Sequence, residues 1–241
     1  MQAHTITGGG GIQLYVDEAG NPNGRPILFI HGFSQCRLAW SKQMVSDLAN
    51  DFRLMAMDLR GHGHSGKPRN AYGDARLWAD DIHAVISTLS LAQPVLSGWA
   101  YGGVVICDYL RAYGEGHIAG MNLVGAVTNL ESEAAMMVVI SAFFALLPGL
   151  FSSDVEESAW ALQAFLRLCM YEEPKPADQP RAARVCRVPV AGEAAKSATE
   201  LGKRHGSPVS CLSARPSEPD RGPTGGRRGS PARRKCESCP G

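Results

Sequence analysis

The run GWAYGG, residues 98–103, sets the tightest limit on what this chain can fold into. It closes a short apolar segment, PVLSG (94–98), and opens a helix that starts near Tyr101. A strand therefore has to end and a helix begin within a few residues. Gly98, Gly102 and Gly103 let the backbone turn that sharply and let the helix come close to the sheet. The residue at the tip of the turn is Ala100.

The flanking sequence repeats the same alternation. IQLYVDE (12–18) alternates like a half-buried strand, and PILFI (26–30), FRLMAMD (52–58) and PVLSG are continuous apolar runs of the kind found in buried parallel strands. HIAGMNLVGAV (117–127) reads as a further strand. Between them, 74–90 places Trp78, Ile82, Val85, Ile86 and Leu89 on one helical face, with Asp74 able to cap its start. In 154–170, Val155, Leu162, Phe165, Leu166 and Cys169 share a face, and Asp154 with Glu157 has the D-x-x-E spacing of a capping box variant. Strands alternating with helices predict the α/β class: a mostly parallel sheet with helices on both faces. A length of 241 residues suits one large domain of this kind or two small ones.

One segment has the look of a membrane span. AAMMVVISAFFALL (134–147) is apolar apart from Ser141 and is broken by Pro148 and Gly149. As a helix it covers only about 21 Å at 1.5 Å per residue, against a hydrocarbon core of roughly 30 Å. It is expected to be a helix buried against protein, not a span.

Three motifs stand at strand ends. HGFS (31–34) follows a buried strand, and its turn can aim the N–H of Phe33 into a pocket. DLRGHGHS (58–65) closes the next strand. GWAYGG has the glycine spacing of a nucleophile elbow, and it sets the N–H of Tyr101 at a helix N-terminus, where partial positive charge stabilises an oxyanion. In this order, the motifs resemble the α/β-hydrolase fold superfamily, in its branch of small cofactor-free esterases, lactonases and haloperoxidase-like hydrolases. The resemblance covers about 1–173. It implies a serine nucleophile at the elbow, an oxyanion hole made by the backbone N–H groups of Phe33 and Tyr101, and a helical cap, which 131–173 fits, over a core at 1–130. The D-x-R-G position, Asp58, is then structural and ties its loop to the strand. No cofactor or metal is implied.

The chain departs from that pattern at the chemistry. Ala100 occupies the nucleophile position. The family's acid and histidine follow its seventh and eighth strands, yet no apolar strand follows residue 173, so the fold is expected to stop after the sixth. Beyond the elbow the histidines are His117, read as structural at the start of a strand, and His205, which no strand precedes. Asp178 and Asp220 are the remaining acids considered, and Asp220 follows His205, the wrong order. His31 reads as a loop-fixing residue, and His62 with His64 lacks the cluster a metal site needs. Cys236 and Cys239 form a lone C-x-x-C with neither a second pair nor a βαβ context. Cys36, Cys107 and Cys169 read as buried, inert thiols.

Residues 174–241 contain no Phe, Tyr, Trp, Ile, Met or Asn, and two leucines and four valines serve the whole segment. Such a composition buries too little apolar surface to offset its ordering entropy, so the tail is expected to be disordered. It carries 14 Lys+Arg against 6 Asp+Glu, whereas 1–173 carry 10 against 17. The tail reads either as a basic interaction arm or as a GC-rich coding strand translated out of frame. With no aromatic residue to stack on bases, it does not read as a specific single-strand nucleic-acid binder. The start, MQAHTITGGG, lacks the charge and apolar core of a secretory signal, which points to the cytoplasm.

The expected function is that of an ester or acyl hydrolase by descent, inactive as written. Two alternatives stand beside it: a non-catalytic binder of a small hydrophobic ester or acyl ligand, and a protein whose basic tail is an interaction arm. A sheet ending at strand 117–127 also leaves an apolar edge, through which the chain is expected to self-associate.

Overall fold

The computed structural model describes residues 1–129 and 141–169. Six strands form one sheet: β1 (Gln2–Thr7), β2 (Gln13–Gly20), β3 (Arg25–Ile30), β4 (Phe52–Met57), β5 (Val95–Trp99) and β6 (Gly120–Val124). Their order across the sheet is β1-β2-β4-β3-β5-β6. β2 is antiparallel to β1 and to β4, whereas β4, β3, β5 and β6 run parallel. The helices are α1 (Ser41–Met44), α2 (Leu48–Asp51), α3 (Ala75–Thr88), α4 (Gly102–Tyr113), α5 (Ser141–Leu150) and α6 (Val155–Leu168).

Side chains on a strand alternate between the two faces of the sheet, and both faces are covered here. Leu28, Ile30, Met55 and Met57 join the larger core, with Trp78, Ile82 and Val85 of α3 and Val104, Val105 and Ile106 of α4. Phe29, Leu54 and Ala56 point the other way, onto Trp40 and Met44. α3 is capped by Asp74, which accepts from the N–H of Arg76, and α6 by Asp154, which accepts from the N–H of Glu157. The α/β expectation therefore holds for the described residues.

Five details differ from the sequence reading. The strand expected over 117–127 is confined to Gly120–Val124. A turn precedes it, in which the Ile118 N–H bonds Glu115 O, and Gly125 (φ 48°) ends it. α5 continues through Pro148 instead of stopping there. A proline in the last turn removes one N–H, and Phe151 N–H still reaches Leu147 O at 3.1 Å. α5 is also less buried than expected, with Phe144 38% exposed. A helix apolar all round covers only the face that meets a neighbour, and α5 meets α6 where Gly149 lies against Ala161. Val155, the first residue of α6, is exposed, and Cys169 is half-buried just past its end. The segment 174–241, with His205, Asp178, Asp220, Cys236 and Cys239, lies outside the described residues, as do 130–140.

Candidate active site

β3 and β5 are neighbours in the sheet, and the chain leaves β3 toward β4 on one side before crossing back to β5 on the other. The loops after β3 and β5 therefore diverge at the carboxyl ends of adjacent parallel strands, the place where open α/β sheets form a binding crevice. These loops are HGFS and GWAYGG.

Ala100 stands at the tip of the second loop with φ 50°. This left-handed conformation costs an L-residue roughly 1–2 kcal/mol. It persists because the backbone around it is clamped: Ala100 N–H donates to Val124 O (3.2 Å), and Ala100 O accepts from the N–H groups of Gly103 (3.1 Å) and Val127 (3.0 Å). The elbow glycines are a steric requirement. A Cβ on Gly98 would stand 2.7 Å from Ile106 Cδ1, one on Gly102 would be 2.5 Å from Ile30 O, and one on Gly103 would be 2.7 Å from Val127 O. Sequence reasoning passed over Gly32, whose Cβ would lie 3.2 Å from Ala100 Cβ. That approach holds the two loops in contact.

Tyr101 is the N-cap of α4, and its ring is buried edge-to-face against Trp78, with centroids 5.6 Å apart. The N–H of Tyr101 therefore lies at the positive end of a twelve-residue helix. Among the described residues the N–H of Phe33 has no hydrogen-bond acceptor. The Phe33 ring meets Phe143, Phe151 and Phe165 edge-on at 6.3, 6.3 and 6.2 Å. Sequence reading missed this cluster, since its members are separated by more than a hundred residues and no local pattern joins them. The next residue, Ser34, has φ 53°, a second left-handed non-glycine beside the elbow.

His31 is fully buried, and both its nitrogens are taken by backbone. The N–H of Leu59 donates to Nε2 at 3.0 Å, so the proton resides on Nδ1, which donates to Gly32 O at 2.8 Å. Burial, reinforced by the neighbouring His62, holds the imidazole well below the usual histidine range. A neutral ring with no free nitrogen fixes loops and cannot carry a proton for catalysis. His62 is also pushed down by burial and bonds Arg60 O through Nδ1.

Asp58 is fully buried at the end of β4. Its carboxylate accepts from Arg37 N (2.8 Å), Arg37 Nη1 (2.7 Å) and His64 N (2.8 Å). It ties two loops to the strand, the role the resemblance implies. Arg60 makes a second buried ion pair, donating through Nε and Nη2 to Asp81 of α3 at 2.7 and 2.8 Å. Its remaining donors meet the carbonyls of Ala71, Leu77 and Gly9. Helical spacing had a signal for Asp81, since it falls on the face shared by Trp78 and Val85.

His117 lies at the other end of the sheet. Val95 pairs with Gly120 and Trp99 with Val124, so His117 precedes the amino end of β6 while Ala100 follows the carboxyl end of β5. Strands of this length separate the two by about 16 Å at 3.3 Å per residue. An open groove of about 410 Å³ beside His117, His83 and Gln93 is at that far end too, away from the elbow. Cys169 is on neither loop, and burial raises its thiol to about 11.

The model of the alpha/beta hydrolase fold family matches residues 25–164. The chain belongs to that family. It is 36% identical over 102 residues to the AB hydrolase superfamily protein YisY of Bacillus subtilis, covering 42% of this chain and 37% of the relative. It is 32% identical over 125 residues to a non-heme haloperoxidase of Rhodococcus erythropolis, covering 52% and 44%. The chain thus spans about two fifths of the length of these curated relatives. Among solved structures it resembles an esterase from Rhodococcus sp. ECU1013, with TM-score 0.67, 33% identity, and 85% and 72% of the two chains covered. No described helix is long and apolar enough to cross a membrane.

Proposed function

We propose that this α/β-hydrolase-fold chain descends from ester or acyl hydrolases and, as written, does not turn esters over. Ala100 carries the reading: it holds the strained φ of an elbow residue but presents a methyl group where the family's nucleophile stands. In subtilisin, loss of the nucleophile alone lowers turnover about 10⁶-fold. Among the described residues, His31 is spent on backbone and His117 is at the opposite sheet end, so neither supplies the missing base. The test is hydrolysis of p-nitrophenyl butyrate by the purified chain. The expected rate is about 10⁶-fold below that of a working serine esterase; a turnover typical of such an esterase overturns the proposal.

A second reading is favoured by the phenylalanine cluster. The proposed oxyanion donors, Phe33 N–H and Tyr101 N–H, together with the rings of Phe33, Phe143, Phe151 and Phe165, would retain a small hydrophobic ester or acid without cleaving it. Isothermal titration with butyrate and with phenylacetate examines this. Saturable heat that Phe33→Ala diminishes supports it; no heat and no rise in melting temperature count against it. The basic arm at 174–241 is a third proposal, resting on composition, and predicts salt-sensitive retention on immobilised DNA or anionic lipid that disappears when those residues are deleted.

A further inference from the structure

The two outer strands of the sheet differ in how they meet their surroundings. β1 bears Gln2, His4, Thr5 and Thr7, and its His4 bonds Glu18 of β2. β6 is Gly-Met-Asn-Leu-Val, and among the described residues only β5 pairs with it. From Ile118 to Ala126 there is no charged residue and no proline. Charged side chains and prolines are two of the devices that ordinarily stop an open edge from pairing with another chain, and β6 has neither. Leu123 and Val124 are 39% and 41% exposed although they lie on opposite faces of the sheet. Meanwhile Met121 packs on the core and Asn122 Nδ2 donates to Ser97 Oγ, so the strand is held in register from the β5 side.

We propose that β6 is a self-association edge that pairs with β6 of a second copy, antiparallel about a two-fold axis through Asn122. A patch that meets itself across a two-fold must be self-complementary, and this strand is. Antiparallel pairing centred on Asn122 sets Met121 opposite Leu123 and Gly120 opposite Val124, so every facing pair is uncharged. Extending the pairing outward sets Ala119 opposite Gly125 and Ile118 opposite Ala126, again without a charge. An edge with no charge has nothing with which to select an acidic or basic partner. Its own sequence, in contrast, brings neither a charge nor a proline into the pairing at any position. The resulting sheet would join two six-stranded halves through the backbone groups of β6.

The test is sedimentation velocity on the full chain over a wide concentration range, with hydrogen exchange of the β6 amides at both ends of that range. A monomer–dimer equilibrium is expected, with β6 amide protection that rises with concentration. Leu123→Lys places an unpaired charge in the new seam and is expected to weaken the dimer by about tenfold or more. As Leu123 is partly exposed in the monomer, the variant should keep its melting temperature at concentrations where both chains are monomeric. A monomer at every concentration overturns the proposal, as does a dimer that Leu123→Lys leaves intact. So does β6 protection that is equal at all concentrations, because the strand is then covered within one chain.

Discussion

The loop after β4 and the turn after β5 leave the sheet at the same end, with β3 between them, and both are rich in glycine. In the first, buried Asp58 accepts three hydrogen bonds, and the guanidinium of Arg60 is wholly engaged by Asp81 and three carbonyls. In the second, the backbone is equally well determined, but the side chain at its tip is a methyl group. The polar contacts that fix the loop are thus separable from the side chain presented at the tip of the turn. Clearances of the elbow glycines, three backbone clamps and a buried histidine preserve the shape whatever residue stands at position 100.

The comparison breaks hardest at Asp58. Asp58→Ala leaves Arg37 buried with one carboxylate instead of two, and removing one partner of such a pair costs about 3–5 kcal/mol. Urea unfolding should show this loss; a change below about 1 kcal/mol would mean the β4 loop is not the anchor described. Next is Gly102→Ala, which forces a Cβ toward Ile30 O and should destabilise by about 1–3 kcal/mol. A neutral Gly102→Ala would show that α4 has slack against the sheet.

The pH dependence is smaller. Burial depresses His31 and His62 below their ordinary value of 6.5, so the unfolded chain takes up protons first as pH falls. Their contribution is complete above about pH 6.5 and is lost as pH falls through the depressed folded values. Between pH 7.5 and 5.5 the urea midpoint should fall by an amount equivalent to about 1–2 kcal/mol; an unchanged midpoint contradicts the buried neutral imidazoles. The smallest effect has the opposite sign. Ala100→Gly relieves the left-handed strain and should stabilise by about 1 kcal/mol or less, after the entropy glycine loses on folding. If the variant is destabilised instead, the methyl contributes packing that outweighs its strain.

Much of this frame was legible in the sequence. β2 to β5 showed as apolar runs, α3 and α6 as periodic faces with acidic caps, and the elbow as three glycines at fixed spacing. β1 was not legible, because only Ile6 of its six residues is buried and the rest give no apolar alternation. The short helices between Arg37 and Asp51 were hidden for a related reason, since each is a single turn too short to display a period. The shortening of β6 came from turn geometry around Glu115–Ile118 and Gly125, which apolar content does not register. At the site, Ala100, Phe33 and Tyr101 were singled out through their motifs. Arg37, Asp81 and the phenylalanines of α5 and α6 were not, since their importance lies in tertiary contacts that link distant parts of the chain.

The claim that the frame is intact while the chemistry is absent is tested most directly by Ala100→Ser. The substitution restores a hydroxyl at the tip of a turn already shaped to present one, and leaves every other group unchanged. Hydrolysis of p-nitrophenyl butyrate should stay at the level of the unaltered chain, because His31, the histidine of the neighbouring loop, has both ring nitrogens bonded to backbone. Saturable turnover by Ala100→Ser, with a pH profile that reports a base, would contradict the account and show that a working proton acceptor reaches position 100.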